Sequence, residues 1–312
     1  MAAKAASDGA VVDPARSRLL SCCFEFQSNQ SILHWPRTRL NEETLKEEAD
    51  SPFDAALTRA LARRGMSARE VCPPGDALAR RVLEEYGAMF LAAETVRVPP
   101  RCVFSGEGQV EEFQRRATWR AAEFGAEVVE LQPVAMTALL AARAEAEREG
   151  LSVTPRGGRE AGRRTYADTL RLWDSRCRPA IEHWCARGRL TGEEGEALRC
   201  LSLIEQVAAV LALEGRGIFF SKDFTKSILL SVAAPGASQH LSMLAFDAVE
   251  FTDARVRRLL ARHGWFQTVL SDLPHFTYLG RAEDELPRLG LRRVEEGGQA
   301  FWIPDVGKGR KW

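Results

Sequence analysis

The sequence lacks a C-x-x-C pair, an H-E-x-x-H segment, an apolar run of membrane-spanning length and any excess of one charge. Each absence removes a class of protein. Seven cysteines are present, at 22, 23, 72, 102, 177, 185 and 200. With an odd number and no C-x-x-C spacing, a structural zinc knuckle is not expected. The adjacent Cys22 and Cys23 cannot bridge each other without strain. Cys177 and Cys185 fall in a helix-like stretch where small buried thiols are common. Plain thiols are therefore expected for most, with one or two disulfides if the chain is exported. Lys plus Arg and Asp plus Glu both total 43, so the formal charge is zero and no global nucleic-acid footprint is present. The local basic runs, Arg156 to Arg164 and Lys308 to Lys311, read as a solvated face and a tail. With no membrane-length apolar run, no transmembrane segment is expected. Met1 to Asp13 carries one early Lys, then Asp8 and Asp13, and no continuous apolar stretch, so it does not read as a signal peptide. Histidine is scarce, with five residues at 34, 183, 240, 263 and 275.

What is there suits a soluble globular chain. Its 312 residues are 45% hydrophobic and 28% charged, enough for a substantial core and one to three domains. Residues 1–50 are polar and without periodicity, and read as an irregular arm. From Ser51-Pro52 a cap followed by proline opens a helix that closes at Gly65, and Gly75-Asp76 opens a second helix running to Leu91. Cys102 to Phe104 reads as a short strand, and Val110 to Ala122 as a helix anchored by Phe113 and Trp119. Glu127 to Leu131 (strand), Val134 to Arg148 (helix) and Leu151 to Thr154 (strand) form the clearest passage. Helices are expected over Tyr166 to Cys185 and Thr191 to Leu213. Strands are expected at Ile218 to Ser221, within Ser242 to Phe251, at Phe276 to Leu279 and at Ala300 to Pro304. The fold class is α+β, a small, mostly antiparallel sheet flanked by helices. Three segments are expected: the arm 1–50, a helical extension 51–123, and a domain 124–312 with a helical insertion at about 174–216. No internal repeat is visible.

Chemistry concentrates in Ser238-Gln239-His240 to Asp247 and in Asp272-Leu273-Pro274-His275. A single histidine beside apolar residues is ordinarily a hydrogen-bonded core or surface residue. His240 and His275 differ in having carboxylates at useful spacings. Strand side chains alternate with period two, so His240 and Asp247, seven apart, cannot share a face of one straight strand. If both bind one metal, His240 lies in a turn before the strand, which fits Ala233 to Ser238 upstream. A bend at Pro274 would turn Asp272 and His275 into one cavity. Two imidazoles and a carboxylate suit zinc, with a second carboxylate left to move protons. Lys222, Asp223 and Lys226 offer an anionic subsite or, more simply, a solvated turn. His183 reads as structural. Arg156-Gly157-Gly158-Arg159 lacks the spacing of a nucleotide loop.

Ser238-Gln239-His240 through Ala245-Phe246-Asp247 resembles the S-x-H-x-x-G-x-A-x-D signature of the zinc D-alanyl-D-alanine carboxypeptidases and dipeptidases, whose fold is that of the Hedgehog amino-terminal domain. Asp272-Leu273-Pro274-His275 resembles their E-x-x-H segment, and His263-Gly264-Trp265-Phe266 the Y-G-F before it. Arg164 to Thr169 resembles their R-S-Y-x-x-Q segment. The resemblance spans roughly residues 125–305. It implies one zinc ion on His240, Asp247 and His275, Asp272 as the proton-transfer carboxylate, Arg164 steadying the scissile carbonyl or substrate carboxylate, and Ser238 touching the substrate. It implies a short D-alanyl peptide of the cell wall as substrate, and a periplasmic or extracellular site of action. Four positions depart from the pattern: Met243 for glycine, Pro274 for tryptophan, Thr169 for glutamine, and Asp272 for the longer glutamate. The last leaves a second reading open, a catalytically weakened zinc module that binds peptide or glycan. A third is a metal-free protein with both histidines in the core.

Overall fold

The computed structural model describes residues 51–73, 76–270 and 272–307. The expected arm 1–50, with Cys22, Cys23 and His34, and the basic run from Lys308 lie outside the described residues.

Helix α1 (Pro52–Ala62) starts where the sequence indicates, with Ser51 accepting the Asp54 amide and proline in the first turn. It buries Phe53, Leu57 and Leu61. The short α2 (Ala68–Val71) leads to α3 (Ala77–Tyr86), which Asp76 caps, and the chain then tightens into a 3-10 turn over Gly87–Leu91. Helix α4 (Glu107–Ala117) ends five residues before the expected Ala122, because Thr118 turns to φ 58°. Trp119, expected as a buried anchor, is 41% exposed and lies under the Arg163 guanidinium. The chain beyond it becomes β1 (Arg120–Phe124), which turns at Gly125 and pairs antiparallel with β2 (Glu127–Leu131). The boundary drawn between residues 123 and 124 thus runs through a hairpin.

Helix α5 (Pro133–Arg148) follows as expected. The strand expected over Leu151 to Thr154 reduces to a single bridge between Pro155 and Ala248, since proline has no amide to extend the ladder. Helix α6 (Tyr166–Ala186) is opened by a capping box of Thr165 and Asp168. The single helix expected from Thr191 to Leu213 is two, α7 (Gly192–Cys200) and α8 (Leu203–Glu214), because Ser202 with Glu205 forms a fresh capping box. Cys102 to Phe104 and Ile218 to Ser221 form no strands. Phe104 offers its amide to Gly236 alone, and Ser221 turns back on Lys226.

The central sheet is short: β3 (Ala245–Asp247), β5 (His275–Tyr278) and β4 (Trp265–Phe266), in the order β3-β5-β4 and antiparallel throughout. Helix α9 (Ala254–Arg262) links β3 to β4. A hairpin of β6 (Leu291–Glu296) and β7 (Gln299–Pro304) follows, of which the sequence signals only the second strand. The architecture is α+β with small antiparallel sheets.

Three apolar clusters hold these pieces. One joins Phe53, Leu83, Trp173, Val210, Phe220 and Trp302, so the N-terminal helices share a core with α6, α8 and β7. A second packs α5 and α9 on the outer face of the central sheet, through Met136, Leu139, Phe246, Leu259, Trp265 and Phe276. The third is Phe104, Val110, Phe113, Leu241 and Met243. Candidate site residues emerge where the three meet. Among the described residues no helix is long and apolar enough to cross a membrane.

Candidate metal centre

Alternation along the central sheet sorts its side chains. Phe246, Phe276 and Tyr278 point into the second cluster, which leaves Ala245, Asp247, His275 and Thr277 on the opposite face. Asp247 and His275 stand directly opposite each other in the antiparallel register. His240 comes from a 3-10 turn, Gln239–Ser242, just ahead of β3, as the odd spacing required. The turn closes with the Met243 amide on the His240 carbonyl.

Met243 stands where the signature has glycine, and its backbone takes the left-handed conformation that glycine would adopt, φ 58° and ψ 29°. Its cost, about 1 kcal/mol for a non-glycine residue, is set against complete burial of the methionine side chain. Two buried glutamines brace the same turn. Gln132 donates to the Ser242 carbonyl, and Gln114 to the carbonyls of Leu241 and Arg164.

Three atoms converge. His240 Nε2 lies 3.1 Å from His275 Nδ1, and Asp247 Oδ1 lies 3.3 Å from the first and 3.2 Å from the second. The outer nitrogen of each ring is committed elsewhere. His240 Nδ1 donates to the Gly162 carbonyl at 2.7 Å. His275 Nε2 meets Gln239 Oε1 at 2.8 Å. Gln239 Nε2 donates to the Tyr86 carbonyl, so its oxygen must be the atom that faces His275 and accepts from it. Thr277 donates to that same oxygen at 2.5 Å. Both rings therefore present a lone pair, and Asp247 a carboxylate oxygen, to one point. Two hydrogen-bonded rings with their free nitrogens turned to a shared centre are the arrangement of metal-bound histidines.

The electrostatics agree. Burial, and after it the Arg164 guanidinium, drive His240 down to about 4 despite the Asp247 carboxylate, so the ring is neutral at pH 7. Burial raises the Asp247 carboxyl, while a proton on either imidazole against it pulls it well below the carboxylate range. Arg164 Nη2 binds the outer oxygen, Oδ2, at 2.7 Å, leaving Oδ1 to the centre. Without a cation, lone pairs crowd together in a buried place. His240, Asp247 and His275 can hold a metal ion.

The centre opens on a cavity of about 200 Å³. Its walls include Asp272, Arg164 and Ser238, so the six residues that the resemblance picks out, with His240, Asp247 and His275, line one cavity. The turn at Pro274 is closed by the His275 amide on the Asp272 carbonyl. Asp272 keeps contact with solvent, yet the surrounding protein removes enough of it to push the carboxyl above its ordinary value, and the Asp247 carboxylate adds to the shift. Arg164 is in the wall but engaged, through Asp247 and through Nε to the Glu160 carbonyl.

Sequence reasoning assigned no role to Gln239 or Gly162. Gln239 was adjacent to His240, and only the strand register reveals that it serves the other histidine. Gly162 admits no side chain, since a Cβ there would lie 2.7 Å from the Glu130 carbonyl. This close approach to β2 sets the carbonyl that orients His240. Elsewhere, His183 stacks on Phe224 and His263 pairs with Glu145, both away from the cavity. Asp223 folds onto Ser221 and Thr225 in an exposed turn. Cys72, Cys102, Cys177, Cys185 and Cys200 are not joined in disulfides. No protein-family model matches the chain, and no curated protein sequence matches it.

Proposed function

We propose that the protein is a zinc-dependent peptidase of the D-alanyl-D-alanine carboxypeptidase and dipeptidase type, with the Hedgehog-like fold of that family. The observation that carries this is the triangle of His240 Nε2, His275 Nδ1 and Asp247 Oδ1, with edges of 3.1 to 3.3 Å. Bond lengths of about 2.0 to 2.1 Å in a tetrahedral zinc site imply ligand separations of about 3.3 to 3.4 Å. Nitrogen and carboxylate donors suit zinc, and three protein ligands leave a position open as catalytic sites require. The carboxylate and guanidinium of the resemblance, Asp272 and Arg164, lie in the same cavity wall.

Zinc, when bound, supplies Lewis acidity toward water and toward the scissile carbonyl. The protein's own groups do the rest. Asp272 takes a proton from the attacking water as its oxygen bonds to the carbonyl carbon. It returns that proton to the amine as the C–N bond breaks. Its raised affinity for protons suits a group that must hold one transiently. Arg164 holds Asp247 in place and lends positive charge to the cavity, and Ser238 lies where a substrate would pass.

Metal analysis and turnover test the proposal together. Purified protein is expected to hold one zinc per chain, lost in His240→Ala. D-alanyl-D-alanine hydrolysis is expected to fall by about 10²- to 10⁴-fold in Asp272→Asn with zinc retained. Less than one metal per chain, unchanged by His240→Ala, would sink the metal site. Full zinc without turnover would instead favour the weakened binding module that the shorter carboxylate permits.

A further inference from the structure

Outside the metal centre, the fold brings together two nucleophilic side chains from separate stretches of the sequence. Cys72 ends the short α2, and Cys102 follows the extended stretch that Pro99 and Pro100 stiffen. The last carbonyls of a helix have no partner within it. Here the Cys102 amide donates to the Val71 carbonyl at 2.8 Å, so the chain after Pro100 runs beside the end of α2. Chains joined by such a bond lie about 5 Å apart, inside the range of about 4.4 to 6.8 Å between Cα atoms that a disulfide spans. The side chains complete the approach: the Cys72 thiol donates a hydrogen bond to the Cys102 sulfur.

The other pair on one element is excluded by geometry. Cys177 and Cys185 share α6 eight residues apart, which places them about 12 Å apart along its axis. Access also singles out the first pair. Cys102 is 4% exposed and belongs to the first apolar cluster, whereas Cys72 is half-buried at the edge of that cluster. A small reagent reaches Cys72 from solvent and finds Cys102 directly behind it.

We propose that Cys72 and Cys102 are a modification site that closes to a reversible disulfide by exchange with a small-molecule disulfide such as oxidised glutathione. Cys72 gives up its proton and displaces one half of the reagent, whose S–S bond breaks. Cys102 gives up its own proton and displaces the second half from Cys72. The two thiols are oxidised to one S–S bond, and the reagent is reduced to two thiols that carry both protons.

The bond ties the N-terminal helices to the segment behind the metal turn. Phe104, two residues beyond Cys102, donates its amide to the Gly236 carbonyl at 2.9 Å and packs with Leu241 and Met243. A Cβ on Gly236 would run into the Phe104 carbonyl, so the two stretches lie in direct contact just ahead of His240. The cysteines themselves are not in the cavity wall, which makes the site independent of metal and substrate.

The test uses the full chain as purified, held in excess oxidised glutathione or in excess dithiothreitol, then alkylated and mapped by peptide mass. Oxidised protein should yield one peptide pair joined through Cys72 and Cys102, two hydrogens lighter than its separate halves. It should melt about 5 °C above the reduced form, the shift for closing a loop of about 30 residues in a chain of this length. Cys72→Ser should abolish the cross-link and the shift, and Cys185→Ser should keep both. Alkylation of Cys72 and Cys102 after oxidation, a lasting glutathione adduct on Cys72, or a cross-link mapped instead to another pair, Cys22 and Cys23 included, overturns the assignment. So does a Cys72–Cys102 bond that fails to raise the melting temperature, because the folded chain would then not hold the two sulfurs at bonding range. None of these outcomes depends on zinc content or turnover.

Discussion

Withholding zinc offers the most direct perturbation of the centre, and the size of its effect can be worked from the geometry. Three acceptor atoms within 3.3 Å of one another, all buried, favour a cation only in the folded state, because the register of β3 and β5 assembles them. A ligand that binds only the native state stabilises it by RT ln(1 + [L]/Kd), about 4 kcal/mol at a thousandfold excess over Kd. At about 2.1 cal/mol/K of unfolding entropy per residue, a chain of this length gains about 1.5 °C per kcal/mol. Chelated protein should therefore melt about 6 °C lower than protein in excess zinc, read by calorimetry or dye-monitored melting. His240→Ala and Asp247→Ala should show no zinc-dependent shift. A shift in either variant equal to wild type would refute the centre, since zinc would then be acting at some other place. So would a wild-type shift below about 1 °C at saturating zinc.

Other outcomes follow from single contacts. Gln239→Leu removes the acceptor that orients His275, and should weaken zinc binding about 10- to 100-fold in a competitive chelator titration. Gly162→Ala forces the loop from β2 and moves the carbonyl on His240, so the same titration should report weaker zinc. At Met243 both Gly and Ala empty the buried site, but only Ala keeps the left-handed strain; urea unfolding should find Met243→Gly about 1 kcal/mol more stable than Met243→Ala, and the reverse order would contradict the backbone geometry. For the metal-free protein, His240 is neutral in the fold down to about 4 but protonates near 6.5 when unfolded. The unfolded state then holds more protons between those values, so stability falls with falling pH by about 3 kcal/mol across the window. Urea midpoints should show this slope in wild type and lose it in His240→Asn.

Much of the centre was legible because its constraints are local. The spacing of His240 and Asp247 forbade a common strand, and the structure places the histidine in a turn before β3. Pro274 announced the bend that brings Asp272 and His275 to the cavity. The helices whose starts the sequence signalled, at Ser51, Asp76 and Thr191, begin where those residues stand, and the helix read from Tyr166 begins there. What escaped were features decided by partners. Trp119 reads as a core residue in isolation; it rests on Arg163, which arrives from a distant loop. Leu151 to Thr154 has strand composition, and its ladder fails for want of a proline amide. Arg164 was read as a substrate contact, and the structure adds its Nη2 hydrogen bond to Asp247 Oδ2. Met243 gave no local sign of its left-handed backbone, which the structure shows at φ 58°.

The pairing of Asp247 with His275 has a consequence for how the chain reaches its final alignment. Strands of three and four residues carry few ladder bonds, so the burial of their side chains has to set their register. A slip of one position would turn Asp247 or His275 toward Phe246 and Phe276 and leave a charge among aromatic rings. Only one alignment lets both ligands reach the same cation as His240. A captured ion would thus act as a proofreader of strand alignment, rejecting the slipped pairing at the moment of assembly as well as serving the finished cavity.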